Sequence, residues 1–155
     1  MTPITAEALA RATCEVLEEA AFLFAAPSPS PPPADQPLVV ARLPVFSDPT
    51  SWLVLAVPPS VAEEIAANLL GLDQGAPEAS QSMNDAVGEI LNIIGGTLLS
   101  QSSPAAALRL GTPEVALLGD RCRAPDCLAS HGQALTTENG ERIWTALEGT
   151  AESCI

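Results

Sequence analysis

The chain has 155 residues, of which 47% are hydrophobic and 16% charged, so it carries too much apolar matter for a disordered tail and enough for one packed core. Nineteen acidic residues face six basic ones, for a formal charge of -13, which argues against a nucleic-acid partner because phosphate backbones are held by clustered Lys and Arg. All the basic residues are arginine; without lysine there is no GxxxxGKS phosphate loop and no Schiff-base chemistry.

The first element is a helix over residues 5 to 25, where Leu9, Ala12, Val16, Leu17 and Ala20 recur three and four apart, with Thr5 as cap and Pro27 as stop. A proline-rich run from 26 to 37 follows; with few backbone donors it joins no sheet interior and reads as a surface loop. Leu38 to Phe46 and Ser51 to Val57 are apolar and rich in β-branched residues, and the turn chemistry of Ser47-Asp48-Pro49-Thr50 between them predicts an antiparallel hairpin. Ser60 to Leu70 makes a short helix closed by Gly71, and residues 78 to 101 form the longest helical pattern. Strands are expected at Pro113 to Leu118, at Cys127 to Thr137 and at Arg142 to Leu147, the last two joined by a turn at Asn139-Gly140. The order α-β-β-α-α-β-β-β defines an α+β fold with a mostly antiparallel sheet and helices on one face, in one domain over residues 1 to 155.

The start of the chain lacks a basic head and apolar run, and no stretch approaches about 18 uninterrupted apolar residues, so a cytoplasmic protein without membrane spans is expected. Four irregularly spaced cysteines then read as free thiols. Cys122, Cys127 and His131 are of zinc-binding type, but their spacing is unusual and no fourth ligand is obvious, so no metal site is assigned.

The long helical pattern carries the chemistry. Met83, Val87, Ile90, Ile94 and Leu98 form an ordinary core-facing stripe. On the other side Asp85, Glu89, Asn92 and Gly96 lie at about 0°, 40°, 340° and 20° around the axis, a single line three turns long. A polar stripe most often faces only water. Here Gly88, Gly95 and Gly96 accompany it, each costing about 1 kcal/mol relative to alanine in a helix, which suggests close approach by another chain or element.

At these residues the sequence resembles the CheX and CheC family of response-regulator phosphatases, which also includes FliY proteins. The family motif is an acid or Ser, three residues, Glu, two residues, Asn, and a Pro some twenty residues later; Asp85, Glu89, Asn92 and Pro113 occupy those places, and Gly96 matches as well. The order of elements and Thr112-Pro113 entering a strand agree, so the resemblance spans most of residues 5 to 149. The interval from Asn92 to Pro113 is slightly shorter than the family's, and the proline run looks like an insertion.

The resemblance implies a phosphorylated CheY-like receiver domain as substrate, with Mg²⁺ held by that receiver and no cofactor in this chain, and it implies a homodimer. An acyl phosphate is already labile, so positioning a water in line with phosphorus is the main requirement. Asn92 suits that task, since its amide both accepts and donates but cannot act as a base. The resemblance assigns Glu89 to the receiver's active-site lysine, and Asp85, Gly88 and Gly96 extend the docking line. Rival chemistries lack their residues: no Cys is followed by five residues and an Arg, and a lone His without a G-x-S-x-G segment makes a poor triad. Two other readings compete: a module that binds a receiver without hydrolysis, and a plain α+β domain whose glycine-lined stripe is internal packing.

Overall fold

A computed structural model describes residues 4–28, 37–47, 50–102, 107–118 and 132–149. Thr5 caps the first helix, α1 (Ala6–Ala21), its hydroxyl oxygen accepting the Ala8 N–H at 3.0 Å. The helix stops at Ala21, short of the expected 25, because Phe22 turns the chain in a left-handed conformation (φ 53°). That turn leaves the Phe22 ring 70% exposed and drops Leu23 back into the core. The chain then forms a strand where a loop was expected: β1 (Ala25–Ser28) opens the proline-rich run, with Pro27 opposite Leu135. Proline is tolerated because β1 is, among the described strands, an edge strand with a neighbour on one side. Residues 29 to 36 of the proline run lie outside the described residues, as do Cys122, Cys127 and His131.

The hairpin has the expected bounds, β2 (Leu38–Phe46) and β3 (Ser51–Val57), registered from Val39 opposite Val57 to Val45 opposite Ser51. Pro59 opens α2 (Pro59–Leu70) at a position where its missing N–H costs nothing, and Gly71 closes it in the left-handed region (φ 67°). The long helical pattern is divided: α3 (Pro77–Gln81) and α4 (Met83–Gln101) meet at Ser82, whose backbone leaves helical geometry (φ -106°, ψ 9°). Two short strands, β4 (Arg109–Leu110) and β5 (Glu114–Leu118), both pair with β2. The final hairpin is β6 (Gly132–Thr137) and β7 (Arg142–Gly149); residues 127 to 131 of the expected strand lie outside the described residues. At its turn Gly140 takes φ 79°, and the Thr137 N–H donates to the Glu141 carbonyl at 2.8 Å.

The strands run in the order β1-β6-β7-β3-β2-β4, with β5 beside β2, and every pairing is antiparallel. The fold is α+β, with the helices on one face. Val39, Ala41, Leu43, Leu53, Leu55 and Ile143 from that face share a core with Leu9 and Val16 of α1, Ile65 of α2 and Ile90 and Ile94 of α4. The opposite face holds a second buried cluster of strand residues that includes Val40, Val54, Ala134, Trp144 and Ala146. Burial on both faces is why β2 and β3 read as continuous apolar runs rather than as alternating strands.

At the end of that second face, Arg42 of β2 donates to the Glu148 carboxylate of β7 at 3.0 Å and lies 4.3 Å over the Trp52 ring of β3. The Glu148 side chain is fully buried. Removing one partner from such a pair leaves an uncompensated charge and typically costs about 3–5 kcal/mol, far more than an exposed pair such as Arg11–Glu7.

Candidate functional site

Helix α4 is held in place by its inner face. Val87, Ile90, Leu91 and Ile94 are inaccessible to solvent and Leu98 nearly so. Each such side chain contributes about 1.5–3 kcal/mol by leaving water, so the rotation of the helix is tightly specified. That rotation sends the opposite line outward: Asp85, Glu89 and Gly96 are exposed and Asn92 is partly exposed. The polar stripe is therefore on the surface, which removes the reading that it is internal packing. Among the described residues neither Asp85 nor Glu89 has an ion-pair partner.

The three glycines of α4 separate into two kinds. A Cβ built on Gly88 would meet Val115 Cγ2 at 3.2 Å and Pro113 Cγ at 3.7 Å. One on Gly95 would meet Leu43 Cδ2 at 2.7 Å and Leu110 Cδ1 at 3.0 Å. Both positions are buried, and both are bare so that the strands can come close. Gly88, expected on the docking line, is buried against β5 and its approach. A Cβ built on Gly96 would meet no described residue beyond its own helix turn within 4 Å. The same contacts locate Pro113: it packs at Gly88, the residue preceding Glu89, and so braces the exposed line from behind.

Beside the line runs a groove of about 420 Å³ between the end of α2 and the start of α4, lined by Leu69, Leu70, Ser82, Asp85, Ala86 and Glu89. Sequence reasoning missed this groove, because Leu70 looks like one more apolar residue of α2. Its one signal is its place next to the closing Gly71, where the helix runs out of core to cover. In the structure Leu70 is 55% exposed.

The chemistry available is limited and specific. Among the described residues no three of His, Cys, Asp or Glu converge as metal ligands would. Burial pushes the Cys14 thiol up from its ordinary value, outweighing a backbone hydrogen bond that acts the other way, so the thiol is held in its poorly nucleophilic form. What α4 presents is an amide and a carboxylate, one helical turn apart on a rigid support. Such a pair can orient a water and grip a cation.

The fold and this surface define an α+β module that offers a carboxylate–amide face from a single helix. Residues 39–129 match the family model for the chemotaxis phosphatase CheX, and the chain belongs to that family. Among solved structures it is similar to the chemotaxis protein CheX of Desulfovibrio desulfuricans, at 20% identity and TM-score 0.63 over 92% of this chain and 98% of that one. A putative chemotaxis protein of Desulfovibrio vulgaris Hildenborough is similar at 21% identity and TM-score 0.65, over 92% of this chain and 96% of that one. A third is the CheX of a CheX–CheY–BeF3–Mg2+ complex from Borrelia burgdorferi, at 14% identity and TM-score 0.62, over 92% and 96% of the two chains. No curated protein matches the chain. No helix among the described residues is long and apolar enough to cross a membrane.

Proposed function

We propose that this chain docks on a phosphorylated CheY-like receiver domain and accelerates hydrolysis of its aspartyl phosphate. The observation that carries this reading is the placement of Glu89 and Asn92 together on the outward line of α4, in a chain of the chemotaxis phosphatase family. A solved relative of the same fold is in complex with CheY, BeF3 and Mg2+, and beryllofluoride is a chemical stand-in for a phosphoryl group.

In this reading Asn92 enters the receiver's phosphorylation site and holds a water by two hydrogen bonds, its carbonyl oxygen accepting from the water and its amide N–H donating to it. The water is thereby aimed along the axis opposite the aspartyl oxygen. The P–O bond to the aspartate breaks as the water oxygen bonds to phosphorus, giving inorganic phosphate and a free carboxylate. The amide takes no proton, and none need be taken early, because the leaving carboxylate is a weak base and the transition state is loose. Glu89 pairs with the receiver's lysine and fixes the register of the two proteins; Asp85 adds negative charge one turn away. The Mg²⁺ belongs to the receiver. The chain acts as a cytoplasmic homodimer, an assembly that light scattering on the purified protein tests.

The test of activity follows the decay of purified phosphorylated receivers with and without this protein. The expected result is acceleration by the wild type, its loss by about a hundredfold with Asn92→Ala, as misplacing a reacting group commonly costs, and a weaker loss with Glu89→Ala. Unchanged decay of every receiver in the presence of the wild type would sink the phosphatase reading; tight binding without acceleration would leave a receiver-binding module in its place.

A further inference from the structure

The groove between α2 and α4 is a built feature rather than a loose end. Gly71 N–H donates to the Ala67 carbonyl, and Leu72 N–H donates to the same oxygen at 2.8 Å, so the end of α2 is tied down. Leu69 and Leu72, on either side, both pack against the core. Leu70 nevertheless stays 55% exposed, held on a fixed backbone over a groove whose far wall is Ala86. A leucine kept outward on a fixed backbone needs no chain rearrangement to be covered, so a partner gains apolar burial at the entropic cost of one side chain. The rim beside it is acidic: Asp85 and Glu89 are exposed, and neither has an ion-pair partner among the described residues.

Given the receiver reading above, on which this inference rests, the groove lies directly along the same face as Asn92. We infer that it receives an apolar side chain of the receiver domain, with an adjacent Lys or Arg of that receiver meeting Asp85. The contact lies about two turns of α4 from Asn92, too far to touch the reacting atoms. It therefore acts on affinity and on the choice of receiver, and the rate of the chemical step is left to Asn92. Leu70 and Asp85 are positioning residues in this scheme. A receiver with a polar residue or an acid at the matching place docks poorly even when its phosphorylation site is intact.

Two measurements on the full chain test this. The first is calorimetric titration of purified CheY-like receivers loaded with beryllofluoride and Mg²⁺, against the wild type, Leu70→Ser and Asp85→Asn. The second is steady-state dephosphorylation by the same proteins and by Asn92→Ala. The expected result is a Kd and KM raised by about tenfold in Leu70→Ser, as removal of an interface anchor commonly gives, with kcat within about twofold of wild type, and a Kd raised by about threefold in Asp85→Asn at low salt. Asn92→Ala should show the converse, a fallen kcat with KM nearly kept. A wild-type Kd for Leu70→Ser, with circular dichroism confirming its fold, overturns the groove inference whether or not the protein hydrolyses anything. Failure of every loaded receiver to bind the wild type overturns it as well. Binding that depends on Leu70 without any hydrolysis upholds the groove while ending the phosphatase reading.

Discussion

Gly95 and Gly96 are neighbours in the chain and opposites in the fold. A side chain on Gly95 would run into Leu43 and Leu110, whereas a Cβ on Gly96 would meet none of the other described residues within 4 Å. The inner side of α4 is shaped by what this chain must pack, while no described residue packs on its outer side at Gly96. An exposed helical glycine without a packing reason is a standing cost, since alanine there would be better by about 1 kcal/mol. The difference teaches that the two faces answer to separate demands, the inner to stability and the outer, in the proposed reading, to a partner.

That separation can be broken or sharpened by substitution. The largest stability effect is expected from Ile94→Ala, which empties a site inaccessible to solvent between helix and sheet; the loss should be about 2–5 kcal/mol by urea denaturation. Next comes Gly95→Val, whose branched side chain is forced against Leu43 and Leu110. It should cost about 1–3 kcal/mol in the same assay, as overpacking does. The smallest effect has the opposite sign: Gly96→Ala should stabilise the fold by about 0.5–1 kcal/mol while weakening receiver binding in the titration described above. A Gly96→Ala protein that is both more stable and fully able to bind would show that the outer face has no visitor at that position, and the contrast between the two glycines would collapse.

Much of this was legible in the sequence, for identifiable reasons. The β2–β3 hairpin was readable to the residue, because two β-branched runs flanking Ser-Asp-Pro-Thr specify their own partner locally. The outward line of Asp85, Glu89, Asn92 and Gly96 followed from the helical period alone, since the apolar stripe opposite it is strong enough to set the rotation. What escaped depends on partners far away in sequence. β1 is a strand because β6, more than a hundred residues later, pairs with Ala25 to Ser28; nothing in Ala-Ala-Pro-Ser announces that. β4 is two residues held against the end of β2. The roles of Gly88 and Gly95 needed the positions of Val115 and Leu43, and no periodicity supplies those. The break at Ser82 was hidden because Pro77 starts one helix and the same polar-apolar rhythm continues into the next. Leu70 was hidden by its company, an apolar residue among apolar residues whose exposure is decided by where α2 happens to end.

The Arg42–Trp52–Glu148 cluster has a consequence for the order in which this protein can be made. Its members stand on three adjacent strands, and the ion pair joins residues 106 apart in the chain. β3 sits in the middle of the sheet, yet its neighbour β7 follows it by more than eighty residues in the chain. While the intervening residues are being synthesised, the β2–β3 hairpin has one long apolar edge bare, the situation in which strands pair wrongly with other chains. In the folded protein Arg42 lies over Trp52 of the same hairpin. A charge on the open sheet discourages premature stacking of a second apolar strand, and it finds its counterion only when β7 arrives with Glu148 in the right register. A one-residue slip of β7 against β3 would turn Glu148 to the other face of the sheet and leave the nearly buried Arg42 without this counterion.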